Sequence, residues 1–174
     1  MKKLTFVEGD LLKHPLVEVI GHQANCQNTF GSGIARSIKE MYPEAYEVDT
    51  ISASKKRNNL GTFSAVEISL NGKVNRYNNH IRRIYNLYGQ NLGTIHGSQK
   101  RLRMTNYEAL YSALEAMADS LMTSSENSLQ QPVVGFPYLM GSALGGGKWE
   151  IVQRLIEVAF DGYQGEVLIV KFKP

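Results

Sequence analysis

The sequence predicts an α/β fold built on a mostly parallel, helix-covered sheet. Three observations carry that expectation. Strand-like and helix-like runs alternate through most of the 174 residues, the pattern that crossover connections between parallel strands produce. The run Val17–Gly21 is apolar apart from Glu18, as in a strand covered on both faces. Two glycine-rich turns, Gly31-Ser32-Gly33 and Gly141 through Gly147, each stand between an apolar strand-like run and a helix-like run.

The elements follow in order. Leu4–Val7 is a short strand closed by Gly9-Asp10, and Leu11–His14 is a turn or single helical turn stopped by Pro15. After the strand at Val17–Gly21 comes the polar cluster His22-Gln23-Ala24-Asn25-Cys26-Gln27-Asn28. Ile34, Ile38 and Met41 are spaced as one face of a helix, with its end at Pro43. Thr62–Leu70 reads as a strand, Asn71-Gly72 as a hairpin turn and Arg82–Tyr88 as another strand. Gly89–Lys100 is a glycine-rich polar loop. Thr105-Asn106-Tyr107-Glu108 has the form of a capping box, with the Thr105 hydroxyl on the Glu108 amide. An apolar stripe from Tyr107 through Leu110, Leu114, Met117 and Leu121 then marks a core-facing helix. Thr123–Gln131 is a loop, Pro132–Phe136 a strand, the run around Val152–Ala159 a helix, and Val167–Phe172 the closing strand. Neither an internal repeat nor a second domain is visible, so residues 1–174 are expected to form a single domain.

A strand, a glycine turn and a helix N-terminus together make an anion site, because the turn exposes backbone N–H groups and the helix dipole favours negative charge there. Two such turns point to a ligand with more than one phosphate, or to one phosphate held from two sides. Neither turn fits the two commonest phosphate-loop templates. Arg36 stands where the dinucleotide fingerprint needs its third glycine. Ser142 stands where a P-loop has its first glycine, and Trp149 replaces the Ser or Thr that would hold magnesium.

Composition sets the frame. A net charge of +3 suits an anionic small molecule without calling for nucleic acid. The basic runs Lys55-Lys56-Arg57 and Lys100-Arg101-Leu102-Arg103 read as solvated loop charges. One cysteine, Cys26, permits no intrachain disulfide and favours a reducing compartment. With no signal-peptide pattern after Met1 and no apolar run near the roughly 20 residues of a membrane span, a cytoplasmic location without a membrane partner is expected.

Taken in order, Gly9-Asp10-Leu11, His22-Gln23-Ala24-Asn25-Cys26, Gly31-Ser32-Gly33-Ile34-Ala35 and the stretch from Pro137 to Gly147-Lys148-Trp149-Glu150 resemble a macro domain across nearly the whole chain. The likeness is greatest to the branch of ADP-ribose 1''-phosphate phosphatases and ADP-ribosyl-glutamate hydrolases. The resemblance implies a three-layer α/β/α sandwich with a mixed, mostly parallel central sheet and a cleft at the C-terminal ends of its central strands. It implies ADP-ribose, or its 1''-phosphate, as the small-molecule ligand, with an ADP-ribosylated protein as a further partner. Asp10, beside Leu11, matches the acidic residue that accepts from the adenine amino group. Asn25 matches the asparagine on the distal ribose. Gly31, Ser32, Gly33 and Ile34 match the first diphosphate loop, and Gly141, Ser142, Ala143 and Leu144 the second.

Two departures bear on the reaction. The glutamate-directed hydrolases of this branch use a lysine after the fourth strand, where this chain reads Leu87-Tyr88-Gly89-Gln90-Asn91. They also use an aspartate after the second-loop leucine, where this chain has Gly145. The expectation is therefore an ADP-ribose 1''-phosphate phosphatase. The alternatives are a non-catalytic reader of free or protein-linked ADP-ribose, or a de-ADP-ribosylating hydrolase with a non-lysine mechanism.

For chemistry, His22 is the first candidate. It matches a histidine of the phosphatase-like members and titrates in the range useful for proton transfer. Asn25 can orient the ribose or a water but cannot act as a base. Asn28 and His96 are weaker polar candidates, His96 because its glycine-rich loop could fold over a phosphate. Cys26 lacks the arginine-containing loop that a cysteine phosphatase needs. With neither zinc spacing nor an acidic triad in the sequence, catalysis without metal or cofactor is expected, resting on positioning and on loop amides.

Overall fold

The computed structural model describes residues 1–55, 59–72, 74–91, 104–124 and 130–173. The strands are β1 (Thr5–Gly9), β2 (Val19–Asn25), β3 (Phe63–Glu67), β4 (Leu70–Asn71), β5 (Val74–Asn75), β6 (Arg83–Gln90), β7 (Val134–Pro137) and β8 (Val167–Phe172). The helices are α1 (Gly33–Met41), α2 (Pro43–Lys55), α3 (Tyr107–Ser124) and α4 (Trp149–Ala159), with a 3-10 turn at Leu11–Lys13.

Six strands form one sheet in the order β1-β8-β7-β2-β6-β3. Every neighbouring pair is parallel except β3 with β6. The hairpin expected at Asn71-Gly72 is present as the small β4–β5 pair.

Side-chain alternation along the strands divides the interior into two cores, one on each face of the sheet. Val19, Tyr85, Leu87, Phe136 and Ile169 face α3 and α4, where they meet Leu110, Leu114, Met117, Val152 and Ile156. Ile20, Ala24, Ile84, Tyr88, Leu168 and Val170 face the other way and pack on the 3-10 turn, α1 and α2 through Leu11, Leu12, Ile38 and Ala45. The result is the expected α/β/α sandwich with a mixed, mostly parallel sheet. Each fully buried aliphatic side chain is worth roughly 1.5–3 kcal/mol, so two separate cores clamp the central strands β2 and β6 from both sides.

Three expectations about local structure are corrected. Pro43 does not only end α1. The chain leaves helical geometry at Tyr42, whose N–H returns to the Ile38 carbonyl, and Pro43 then opens α2. Proline suits that first position because its fixed φ is already helical and its missing N–H would have no partner there. β2 does not stop at Gly21 but continues through Asn25, so the polar cluster is strand and its side chains alternate in direction. The cap of α3 is Asn106, whose Oδ1 accepts from the Ala109 N–H at 3.0 Å. Thr105, expected to be that cap, instead forms a bridge with Gln90 and turns its hydroxyl toward the second glycine loop.

Candidate functional site

Two adjoining cavities open around the C-terminal ends of β2, β7 and β8. The larger, about 850 Å³, is lined by Asp10, Leu11 and Lys13, by Gly33, Ile34 and Ser37 at the start of α1, and by Tyr77, Tyr138 and Phe172. The smaller, about 220 Å³, is lined by Gln23, Asn25, Ser32, Gln90, Gly141 and Gly145 among others. Gly33, Ile34, Pro137 and Tyr138 line both, so the cavities form one elongated cleft.

Asp10 sits at the wide end. Its Oδ1 accepts from the Leu12 N–H at 3.0 Å, and Lys13 lies 3.6 Å from its Oδ2. The carboxylate thus caps the 3-10 turn while remaining part of the cleft wall. Leu11 is buried beneath it.

The first glycine loop forms the N-terminus of α1. Ser32 is the extended N-cap residue, and its side chain makes no cap hydrogen bond. Gly33, Ile34 and Ala35 of the first turn all line the narrow part of the cleft, where helix-start amides and the dipole favour an anion. Gly31 is exposed and lies beside the cleft lining.

The second loop, between β7 and α4, is tied into a compact knot. Gly147 N–H donates to the Gly141 carbonyl at 2.9 Å, and Ser142 N–H to the Leu139 carbonyl at 2.9 Å. Gly141 has φ +70, and a Cβ there would lie 2.6 Å from Gln23 Oε1. The positive φ favours glycine at that position, and a Cβ would also push the Gln23 amide aside. Gly145 is equally constrained: a Cβ would meet Thr105 Oγ1 at 2.3 Å and the Gly141 carbonyl at 2.6 Å. An aspartate at this position would have to displace the Thr105 hydroxyl and the Gly141 carbonyl. Ala143 and Leu144 line the cleft, whereas Ser142 is half-buried within the knot.

Gln23 and Gln90 line the narrow end, and Thr105, expected only as a helix cap, ties them to the second loop. Gln23 Nε2 donates to Gln90 Oε1 at 2.7 Å and to Thr105 Oγ1 at 2.9 Å. Thr105 Oγ1 passes the chain on to the Gly141 carbonyl at 2.7 Å. Met104 and Thr105 N–H groups both donate to the Gly145 carbonyl. These bonds lock the second loop to β2 and β6. The signal for Gln23 was the extended strand: with β2 running to Asn25, Gln23 faces opposite to His22.

His22 is the main correction to the catalytic expectation. It is 0% exposed and lies on the α1/α2 face of the sheet, below the cleft and outside its lining. Nε2 is 2.7 Å from Asn86 Oδ1, and the ring packs edge-on against Phe30. Burial pushes its pKa down to about 4 despite the hydrogen bond to Asn86. A neutral imidazole donating from Nε2 fits the Asn86 contact and leaves Nδ1 buried without a hydrogen-bond partner among the described residues.

Asn25 does line the narrow end. Its amide also organises the turn that follows β2: Nδ2 donates to the Thr29 carbonyl at 2.9 Å, and Oδ1 accepts from Gln27 N–H at 3.0 Å. Asn28 points elsewhere. It adopts φ +57, and its Nδ2 donates to Asp49 Oδ2 at 2.8 Å, on α2. Cys26 is half-buried, and burial together with the Asp49 charge raises its thiol pKa, which suits an inert packing role. His96, most of the Gly89–Lys100 segment, and the basic residues Lys56, Arg57 and Lys100–Arg103 lie outside the described residues.

Among the described residues, the narrow end therefore presents amides, a hydroxyl and backbone N–H groups. Such a set orients a ligand and stabilises negative charge.

The fold is that of a macrodomain. The macrodomain of Thermus aquaticus DarG superposes with a TM-score of 0.69 over 99% of both chains, at 19% identity. A Thermosipho africanus DarTG structure, solved in complex with ADP-ribose, matches 98% of this chain and 42% of its own, with a TM-score of 0.72 and 17% identity. By sequence, an uncharacterised 17.5 kDa protein of Enterobacteria phage T4 is 28% identical over 158 residues, covering 89% of this chain and 86% of that protein. The ADP-ribose 1''-phosphate phosphatase of Neosartorya fischeri is 41% identical over 46 residues, which is 26% of this chain and 23% of the phosphatase. No family model matches the sequence.

Proposed function

We propose that the cleft binds ADP-ribose. The adenosine lies in the wide cavity beside Asp10, the diphosphate between the two glycine loops, and the distal ribose at the narrow end near Asn25, Gln23 and Gln90. The observation that carries this reading is the continuity of the cleft. A carboxylate stands at one end, a helix N-terminus and a glycine knot flank the middle, and neutral hydrogen-bonding groups close the other end. The fold shared with the DarTG structure solved with ADP-ribose supports it. Titration calorimetry with ADP-ribose tests it: saturable one-to-one binding is expected, and no heat at millimolar ligand overturns it.

A second reading, hydrolysis of ADP-ribose 1''-phosphate, is favoured by the short match to the fungal phosphatase. Water would add across the P–O bond, its hydroxyl going to phosphorus and its proton to the ribose oxygen, to yield ADP-ribose and phosphate. In that reading loop amides hold the phosphate and Asn25 orients the sugar, while His22 only supports the strand beneath them. Phosphate release by purified protein decides between the readings. Tight binding without release leaves a reader of free or protein-linked ADP-ribose.

A further inference from the structure

A buried polar chain runs beneath the cleft without lining it. His22 Nε2 is 2.7 Å from Asn86 Oδ1, and Asn86 Nδ2 donates to Ser64 Oγ at 3.0 Å. Ser64 Oγ is 2.8 Å from the Tyr88 hydroxyl, which donates to Asp49 Oδ1 at 2.7 Å. Asp49 Oδ2 accepts from Asn28 Nδ2 at 2.8 Å, and the same amide reaches the Asp49 carbonyl at 3.0 Å.

Asp49 itself is 0% exposed. A carboxylate in that position costs free energy unless its oxygens are satisfied. Here one oxygen takes Tyr88 from the sheet and the other takes Asn28 from the turn after β2, so both donors match an acceptor-only group. Asn28 holds the left-handed conformation that non-glycine residues adopt at a cost. Beyond it, Phe30 is pinned edge-on between His22 and Tyr46 of α2. The next residues are Gly31 to Ile34.

We propose that Asp49 is a positioning residue for the first phosphate loop. By holding Asn28 against α2, it fixes the Asn25–Thr29 turn and, through Phe30, the N-terminus of α1 relative to the sheet. Its effect on a ligand is indirect, because its side-chain partners Asn28 and Tyr88 do not line the cleft. The proposal rests on the ADP-ribose reading for its ligand.

The test is a double-mutant cycle on the full chain, read by ADP-ribose calorimetry and by backbone hydrogen exchange. Asn28→Gly keeps the left-handed turn and removes the hook, and it should weaken ADP-ribose binding about tenfold. Exchange should accelerate at residues 27–35 and stay at the wild-type rate in α3. Asp49→Ala should weaken binding comparably. The double variant should lose no more than about twofold beyond Asn28→Gly, because the two residues act as one unit. Should Asp49→Ala fail to fold, Asn28→Gly decides alone. The proposal is overturned if Asn28→Gly binds within twofold of wild type, if exchange rises equally in α3, or if the two losses add in full. Failure of the wild type to bind ADP-ribose would overturn the functional reading, while exchange at residues 27–35 would still report on the clamp.

Discussion

Acidification should remove stability from this protein through His22, and the amount follows from where that ring sits. In the unfolded chain His22 titrates near 6.5, whereas burial in the folded state lowers it to about 4. Between those values the unfolded state takes up a proton that the folded state refuses. The stabilisation is thus fully present above the unfolded value and is lost as pH falls toward the folded one. Full titration is worth about 3 kcal/mol, of which about 2 kcal/mol is gone by roughly pH 5. Asp49 has its carboxyl pKa raised by burial, so it acts in the opposite direction over part of the same range. The informative quantity is the difference between wild type and His22→Gln, a variant that can still donate to Asn86 but does not titrate. Urea denaturation near pH 7 should find the wild type more stable, because its ring packs against Phe30. Repeated near pH 5, the gap should narrow by about 2 kcal/mol. A gap that stays constant between the two pH values would show that His22 is not buried neutral, and the reasoning would fall.

Three further outcomes are expected. Asp10→Asn keeps an acceptor for the Leu12 N–H and should leave stability nearly unchanged; on the proposed placement of adenosine beside Asp10 it should weaken ADP-ribose about tenfold, and calorimetry and a melting curve separate the two effects. Thr105→Val keeps the side-chain shape and removes the bonds to Gln23 and the Gly141 carbonyl, costing about 1–3 kcal/mol in denaturant titrations and loosening ADP-ribose. Gly145→Asp, which introduces an acid at this point of the second loop, should destabilise the fold by about 3 kcal/mol through its clash with Thr105 and Gly141. It should confer no release of ADP-ribose from modified glutamate; measurable release would show that the second loop has room for that side chain.

The candidate site was legible where backbone chemistry defines it. Gly141 and Gly33 sit at positive φ, and a glycine-rich stretch between a strand and a helix announces such a turn directly. Asp10, expected from the resemblance, lines the wide end of the cleft while also filling the local role of capping the 3-10 turn. The expectation for His22 rested on a resemblance and on a strand ending before it. With β2 continuing to Asn25, alternation along the strand directs His22 to Asn86 on the α1/α2 face and Gln23 to Thr105 on the opposite one. Asn28 takes its partner from Asp49, 21 residues further along on α2, which no local pattern reveals.

By itself, then, the sequence determined the alternation of strands and helices, the two apolar faces of the sheet, and the glycine turns at its C-terminal edge. Periodicity and backbone freedom are local properties, written within a few consecutive residues. Only the tertiary structure decided which side chains meet. The Gln23–Thr105 and Gln23–Gln90 bonds join residues 82 and 67 positions apart, and the Thr105–Gly141 bond spans another 36. Such meetings depend on strand order and register, which set the direction of each side chain. A one-residue slip in register would exchange the residue in the cleft for the one beneath it.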